Sequence, residues 1–106
     1  MRFVYFISET GSAGPIKVGV SANPHKRLRA LQTSNYRHLE IVGIIPETDE
    51  FNERTIHASL DTWHERGEWY ERQAALDALA ILSQQEDAML AHALRNLRKK
   101  ETHAHS

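Results

Sequence analysis

Two short β-rich runs separated by a turn restrict the fold of this chain more than any other feature. Arg2–Ser8 (RFVYFIS) and Ile16–Val20 (IKVGV) consist largely of branched and aromatic residues, which favour strands. The stretch between them, Glu9–Pro15, is typical of a turn. We therefore expect the two runs to form an antiparallel hairpin.

A helix and a third strand are predicted after the hairpin. Asn23-Pro24 places an N-cap residue before a proline at the first helical position, and this pair predicts a helix to about Gln32. Leu39–Ile45 (LEIVGII) is a third β-rich run, and Pro46 ends it. Strands and a helix therefore alternate in the first half of the chain.

A second helix is predicted directly beyond this strand. Thr48 or Asp49 can cap it, and it runs to about Leu60. Asp61–Gly67 is expected to be a connector, and the short aromatic segment GEWY begins at its last residue.

The last third of the chain has the composition of a helix. We expect this helix to run from Gln73 to about Lys100, with a break near Ser83–Gln85 left open, and Glu101–Ser106 to be a flexible tail. Five leucines lie roughly on one face of it: Leu76, Leu79, Leu90, Leu94 and Leu97. The predicted organisation is a domain over residues 1–72, a helical extension over 73–100 that packs on it, and the tail.

Composition excludes several classes of protein. The 106 residues suffice for one core, so a second domain is not expected. The absence of cysteine excludes a disulfide scaffold, a thiolate zinc site and a cysteine nucleophile. No apolar run is long enough to span a bilayer, and we expect a cytoplasmic protein without membrane contact.

The near-neutral net charge conceals two segments of opposite sign. Thirteen Lys and Arg stand against fourteen Asp and Glu, for a net charge of −1. Thr10–Leu39 carries five bases and no acid, whereas Glu40–Glu71 carries nine acids and two bases. Two solvated faces would explain this pattern, but so would a site that joins an anion-binding half to a carboxylate half.

Glu53 is the most informative single residue. Glu53, Ile56, His57 and Leu60 are spaced so that they share one face of the second helix, which places a carboxylate on the apolar stripe. Glu53 could simply reach solvent near the helix N-terminus, where negative charge is favoured. Alternatively it could bind Mg²⁺, which prefers oxygen ligands, while His57, otherwise a half-buried helix histidine, orients water or phosphate.

The first helix carries a group of bases. Arg27 lies beside Leu28 at the border of the buried stripe, where its guanidinium could hold a phosphate with two hydrogen bonds. A solvated helix face is the alternative for Lys26 and Arg29. Together with Arg37, these two are the residues that we expect to contact nucleic acid.

Tyr5 and Lys17 lie on the two strands of the predicted hairpin. Packing for Tyr5 and solubility for Lys17 are the simplest interpretations. A role for Tyr5 as a base would require Lys17 or a metal to lower its pKa, because a phenol with a pKa near ~10 accepts protons poorly at neutral pH.

The order of these motifs resembles the GIY-YIG nuclease superfamily, and within it a small bacterial and phage branch. The resemblance covers about Arg2–Glu71 and rests on motifs in sequence order: VYFI, IKVG, a helix with Arg27-Leu28, LQTSN, Glu53 with His57, and GEWYE. It implies an α+β fold with a three-stranded antiparallel sheet flanked by helices.

The resemblance also implies roles for single residues. Tyr5 matches the tyrosine of the first motif, Lys17 the position of the second motif's tyrosine, Arg27 the catalytic arginine and Glu53 the metal-binding glutamate. Leu31 stands where many members of the superfamily have His or Tyr. His57, His25 or Tyr36 could substitute for that group.

The function implied is hydrolysis of DNA phosphodiester bonds by an endonuclease that depends on Mg²⁺ or Mn²⁺, in a phage or mobile-element context. An alternative is a catalytically inactive module of the same fold that binds nucleic acid or a protein partner. A homodimer joined through the leucine stripe of the last helix is a third possibility, and it would place two sites on opposite strands.

Overall fold

The computed structural model describes residues 1–104 of the chain and the side chains of residues 1–97. Five strands and three α-helices follow one another in this part, with a short 3-10 turn at Asp61–Trp63. The elements are β1 (Phe3–Glu9), β2 (Ile16–Ser21), α1 (Pro24–Thr33), β3 (Leu39–Pro46), α2 (Glu53–Leu60), β4 (His64–Arg66), β5 (Trp69–Tyr70) and α3 (Arg72–Ala104).

All neighbouring strands are antiparallel, and their order across the sheet is β3-β1-β2-β5-β4. The predicted α+β class is confirmed, but the predicted number of three strands is wrong because β4 and β5 extend the sheet beyond β2. The expected connector contains β4, and the GEWY segment supplies β5. With three and two residues, these strands are too short for their alternation to be visible in the sequence.

Helices cover both faces of the sheet. Val4, Phe6 and Val18 belong to the larger core, which α2 and α3 complete. Tyr5 and Ile7 point to the opposite face and form a smaller core against α1, with Leu28, Leu31, Leu39, Ile41 and Trp69. The alternation of β1 therefore sends Tyr5 away from the main core.

The two short helices begin at different kinds of cap. Asn23 caps α1 as predicted, since its side chain accepts a hydrogen bond from the backbone N–H of Lys26. The prediction that Thr48 or Asp49 caps α2 is wrong: the cap is Asn52, which forms a reciprocal capping box with Thr55. The Asn52 side chain accepts a hydrogen bond from the backbone N–H of Thr55, and the Thr55 hydroxyl oxygen accepts one from the backbone N–H of Asn52.

The long helix α3 starts on the domain and then leaves it. The Glu71 carboxylate accepts hydrogen bonds from the backbone N–H groups of Gln73 and Ala74, which fixes the first turn. Ala75 and Leu82 are buried in the larger core. The helix continues without the break considered near Ser83–Gln85, and three of the five leucines lie more than half exposed on its distal part: Leu90, Leu94 and Leu97.

The predicted packing of the extension therefore holds only for its first part. The predicted tail, Glu101–Ser106, is helical as far as Ala104, and residues 105–106 lie outside the described residues. Within the part of the chain that the structure describes, no helix combines the length and apolarity needed to cross a membrane.

Candidate active site

Tyr5 and Gly19 are opposite each other in the pairing of β1 with β2. The Tyr5 side chain is only 1% exposed. If residue 19 had a Cβ, that atom would lie within 3.0 Å of both the Tyr5 hydroxyl and a carboxylate oxygen of Glu68. The missing side chain of Gly19 thus provides the space in which these two polar groups face each other.

Arg27 reaches this point from α1. Its guanidinium lies close enough to the Tyr5 hydroxyl to lower the pKa of that phenol. The neighbouring residue Leu28 packs into the smaller core, while Arg27 itself is exposed. The helix therefore anchors the arginine beside the sheet and leaves its guanidinium open to solvent, where it can bind an anion.

Lys17 is held between two residues of the β4–β5 segment. Its Nζ lies 3.6 Å from Oε2 of Glu68 and 5.7 Å from the centre of the Trp69 ring. The side chain of Lys17 is 13% exposed, and that of Glu68 is 38% exposed. Glu68 and Trp69 therefore hold the Lys17 side chain against this face of the sheet.

Sequence reasoning missed Glu68. The only signal was its place in the GEWY segment, to which the sequence assigned no role. Its position depends on the pairing of β5 with β2, which brings Trp69 opposite Lys17. A strand of two residues is too short for its pairing partner to be predicted from the sequence.

Burial raises the pKa of the Tyr5 hydroxyl above its ordinary value. The nearby Arg27 guanidinium lowers this pKa, while the negative charges of Glu68 and Glu53 raise it further. A base at neutral pH would need a shift in the opposite direction. Lys17 contacts Glu68 and is not among the groups that shift the pKa of Tyr5. Tyr5 is therefore better suited to donate a hydrogen bond as a neutral phenol than to accept a proton.

Glu53 is the first residue of α2 and lines a cavity of about 530 Å³. Its side chain is 44% exposed, and an Oε2 atom lies 3.5 Å from Nη2 of Arg2. Arg2 also binds Glu47 at 3.0 Å. The other residues around the cavity are Asn52, Arg54 and His57.

Arg2 was not singled out from the sequence as part of a site, because 51 positions separate it from Glu53. Hydrogen bonds from Arg2 and from the backbone N–H of Glu53 hold the pKa of Glu47 below its usual value. Glu47 is therefore engaged on both oxygens, so Glu53 is the carboxylate of the cavity with capacity for another ligand.

The donor set decides which kind of metal could fit. Among the described side chains, no three of the His, Asp and Glu residues come together as a metal-binding group. A site built from three or four protein ligands, as zinc requires, is therefore absent from that part of the chain. One half-exposed carboxylate does suit Mg²⁺ or Mn²⁺, which retain water and take further oxygens from a substrate phosphate.

His57 is fixed in place by the sheet. Its Nε2 lies 2.9 Å from the carbonyl oxygen of Val18, and its ring stacks on Tyr70 with 5.7 Å between the centres. A carbonyl can only accept, so Nε2 carries the hydrogen and Nδ1 is the unprotonated nitrogen of the neutral ring. These contacts agree with a half-buried helix histidine at the edge of the cavity.

The remaining predicted residues lie around the cluster or apart from it. His25, Lys26 and Arg29 are exposed on α1. Tyr36 is 91% exposed and contacts Arg37, which also lies 3.6 Å from Glu9. Glu9 is four residues along β1 from Tyr5, a distance of roughly 13 Å, so this pair is separate from the cluster. Leu31 packs into the smaller core.

Comparison with known proteins gives one family. Neither the curated proteins nor the solved structures yield a match to this chain. The model of the T5orf172 domain matches residues 2–87, a range that includes every residue of the site described above. The match covers most of the chain, and the chain therefore belongs to the T5orf172 domain family, a phage-associated domain related to nucleases.

Proposed function

We propose that this domain is an endonuclease that hydrolyses DNA phosphodiester bonds with the help of Mg²⁺ or Mn²⁺. The observation that carries the proposal is the position of Tyr5 and Lys17 on the face of the sheet that α1 covers with Arg27, while Glu53 lines a cavity whose His57 hydrogen-bonds to Val18 of β2. A phosphodiester needs positive charge, a hydrogen-bond donor and a cation ligand in one place. The relation of the family to nucleases supports the same reaction.

Arg27 is the residue that binds the phosphate. Its guanidinium can hold two phosphate oxygens at once and offset the charge that develops on them during hydrolysis. The packing of the neighbouring Leu28 into the smaller core with Tyr5 fixes the turn of α1 from which the guanidinium projects. Tyr5 thus acts as a neutral group that orients Arg27 or donates to a phosphate oxygen.

Glu53 would hold the metal. A bound Mg²⁺ or Mn²⁺ would supply a positive charge that polarises the phosphate and lowers the pKa of a coordinated water. Arg2 contacts Glu53 at 3.5 Å and Glu47 at 3.0 Å, so Glu53 could exchange the longer contact for a metal while the shorter one would remain. The capping box at Asn52 fixes the backbone from which Glu53 projects.

Lys26 and Arg29 would grip the DNA backbone beside the site. Both are exposed on α1, the helix that carries Arg27. Contacts of this kind release counterions, so the affinity for DNA should fall steeply as salt is raised. Arg37 would add a contact farther along the same face.

Nicking of supercoiled plasmid DNA tests this function. The wild type should nick the plasmid with Mg²⁺ or Mn²⁺ and stop in EDTA, and Arg27→Ala or Glu53→Gln should reduce the rate about 100-fold or more. Glu50→Gln and Arg95→Ala are matched controls at exposed positions and should cleave like the wild type. Cleavage at the wild-type rate by Arg27→Ala or Glu53→Gln would contradict the proposal.

A second function, binding without cleavage, is favoured by one observation. Leu31 occupies the position that in many related nucleases carries His or Tyr, and here it is part of the smaller core. This function predicts a salt-sensitive shift of DNA in gels, weakened by Lys26→Ala with Arg29→Ala, and no product after long incubation with either metal. The plasmid assay therefore separates the two functions.

A further inference from the structure

We propose that Glu68 is a catalytic residue whose carboxylate takes the proton from the water that attacks the phosphate. This inference rests on the proposed nuclease function and adds a role that the sequence did not assign. In the step, the water oxygen forms a bond to phosphorus as one of its O–H bonds breaks, and the proton passes to Glu68. The P–O bond to the leaving group breaks, and its electron pair stays with the leaving oxygen, which takes a proton from solvent.

The backbone and side chain of Glu68 are both held at the centre of the site. Its carbonyl accepts a hydrogen bond of 2.9 Å from the backbone N–H of Val18, next to Gly19 on β2. Its carboxylate then lies over Gly19, facing the Tyr5 hydroxyl. Arg27 projects from α1, which packs against β1 and β2, and it lies near Tyr5, so a phosphate on that arginine would come close to the carboxylate.

The other groups of this cluster are poor proton acceptors. Tyr5 is a buried phenol, and burial raises its pKa above the ordinary value despite the nearby Arg27. Lys17 is an ammonium paired with Glu68, and an ammonium has no free lone pair. Arg27 remains protonated in proteins. Glu68 is the member of the cluster that combines free lone pairs with access to solvent.

The contact with Lys17 explains how a carboxylate can lie beside a phosphate site. Two negative groups repel each other, and Lys17 offsets part of that repulsion at 3.6 Å. The same contact, together with the packing of Lys17 on Trp69, restricts the rotamers of Glu68. A purely structural Lys17–Glu68 pair would have the same geometry, so the experiment must separate structure from proton transfer.

The experiment measures cleavage of a labelled oligonucleotide duplex by the full chain. We expect Glu68→Gln to lower kcat roughly 100-fold or more, because general bases contribute about 10²–10⁴-fold, and to leave KM within about threefold. Glu68→Asp should retain part of the activity. Formate should raise the cleavage rate of Glu68→Ala at least about tenfold, because it can supply the missing carboxylate.

Three control variants complete the design. Glu65→Gln changes an exposed carboxylate in the adjacent strand β4 and should cleave normally. His57→Gln retains an N–H donor for Val18 and should lose less activity than Glu68→Gln. A loss as large as that of Glu68→Gln would make His57 the base and overturn the proposal. Lys17→Met removes the pair, and its rate should not respond to formate.

Melting curves show whether each variant folds. A folded Glu68→Gln with the wild-type rate, or a folded Glu68→Ala that formate does not rescue, would overturn the role of Glu68 and leave the nuclease function intact. A wild type that never cleaves would overturn both.

Discussion

The site depends on the absence of one atom, the Cβ of residue 19. Gly19 has no need of unusual backbone angles, and positive φ values occur in the described chain at Gly11 and Gly67. Its requirement is space, because Tyr5 and Glu68 meet where a Cβ would be. Glycine at this position therefore reflects the chemistry of the site.

Substitution of Gly19 tests this interpretation. Gly19→Ala should displace Tyr5 and Glu68, abolish most cleavage and cost about 1–3 kcal/mol in the free energy of unfolding, the usual cost of overpacking. Gly43→Ala is the matched control, because its Cβ would meet the side chain of Leu79. Denaturant melts and plasmid assays should show that both variants are destabilised, while cleavage falls only in Gly19→Ala.

The buried phenol should also make stability depend on alkaline pH. Burial raises the pKa of Tyr5 and of Tyr70, so the unfolded chain loses these protons at a lower pH, near the ordinary value of 10.0. The stabilisation is complete below that pH and is lost as the pH rises through the higher folded-state pKa values.

Tyr5→Phe should therefore flatten the decline of the unfolding free energy above pH 10, measured by denaturant titration. Tyr36→Phe, at a side chain 91% exposed, is the control and should leave the wild-type profile unchanged. An unaltered decline in Tyr5→Phe would show that the phenol ionises equally in both states.

Helices and strands can be predicted from the sequence where neighbouring residues determine them. The hairpin and α1 could be predicted because strand composition and the Asn23-Pro24 cap depend on neighbouring residues. The start of α2 could not, since several polar residues near Asn52 are equally good caps. Strands β4 and β5 exist only through pairing with β2, and that contact cannot be seen from two or three residues.

Some residues of the site could likewise be selected from the sequence, and others could not. Tyr5, Arg27 and Glu53 could be selected because a motif order places them on β1, α1 and α2. Glu68 and Arg2 escaped because their partners, Lys17 and Glu53, are 51 positions away in each case, and long-range packing alone brings them together. The raised pKa of Tyr5 likewise follows from burial, which only the fold determines.

The N-cap of α2, Asn52, can be tested against Asp49, which the sequence suggested as the cap. Asn52→Ala removes the hydrogen bond to the N–H of Thr55 and should cost about 1 kcal/mol in the free energy of unfolding. Because Glu53 is the next residue, apparent Mg²⁺ affinity in the cleavage assay should fall as well. Asp49→Ala, at an exposed position that the sequence suggested as a cap, should change stability by less than about 0.5 kcal/mol. Equal effects of the two substitutions would contradict the assignment.

At the scale of the whole molecule, the net charge of −1 arises from segments that meet at the site. The basic segment supplies Lys17 and Arg27, and the acidic segment supplies Glu53 and Glu68. Opposite charges are therefore concentrated where a phosphate and a cation would bind, which is the second of the two explanations for the charge pattern. The overall charge offers a nucleic acid no attraction, so under the proposed function the contacts with DNA would have to come from exposed bases such as Lys26.

The molecule is also elongated, with extents of 61 × 28 × 23 Å, because α3 continues beyond the core. Leu82 is the last buried residue on α3 among the described side chains, whereas Leu90 and Leu94 are each more than half exposed. The family match likewise ends at residue 87. The domain core should therefore be independent of the distal part of α3.

Leu94→Ser combined with Leu97→Ser should leave the melting temperature and the cleavage rate of a monomer unchanged, because both leucines are more than half exposed and neither belongs to the buried core. Leu82→Ala should cost about 2–5 kcal/mol, since it removes buried methyl groups and leaves a cavity. Thermal melts and light scattering on the same samples give both readouts. A lower melting temperature in the double variant, together with a change from dimer to monomer mass, would contradict this expectation. It would show instead that the leucines are buried against a second copy of the chain.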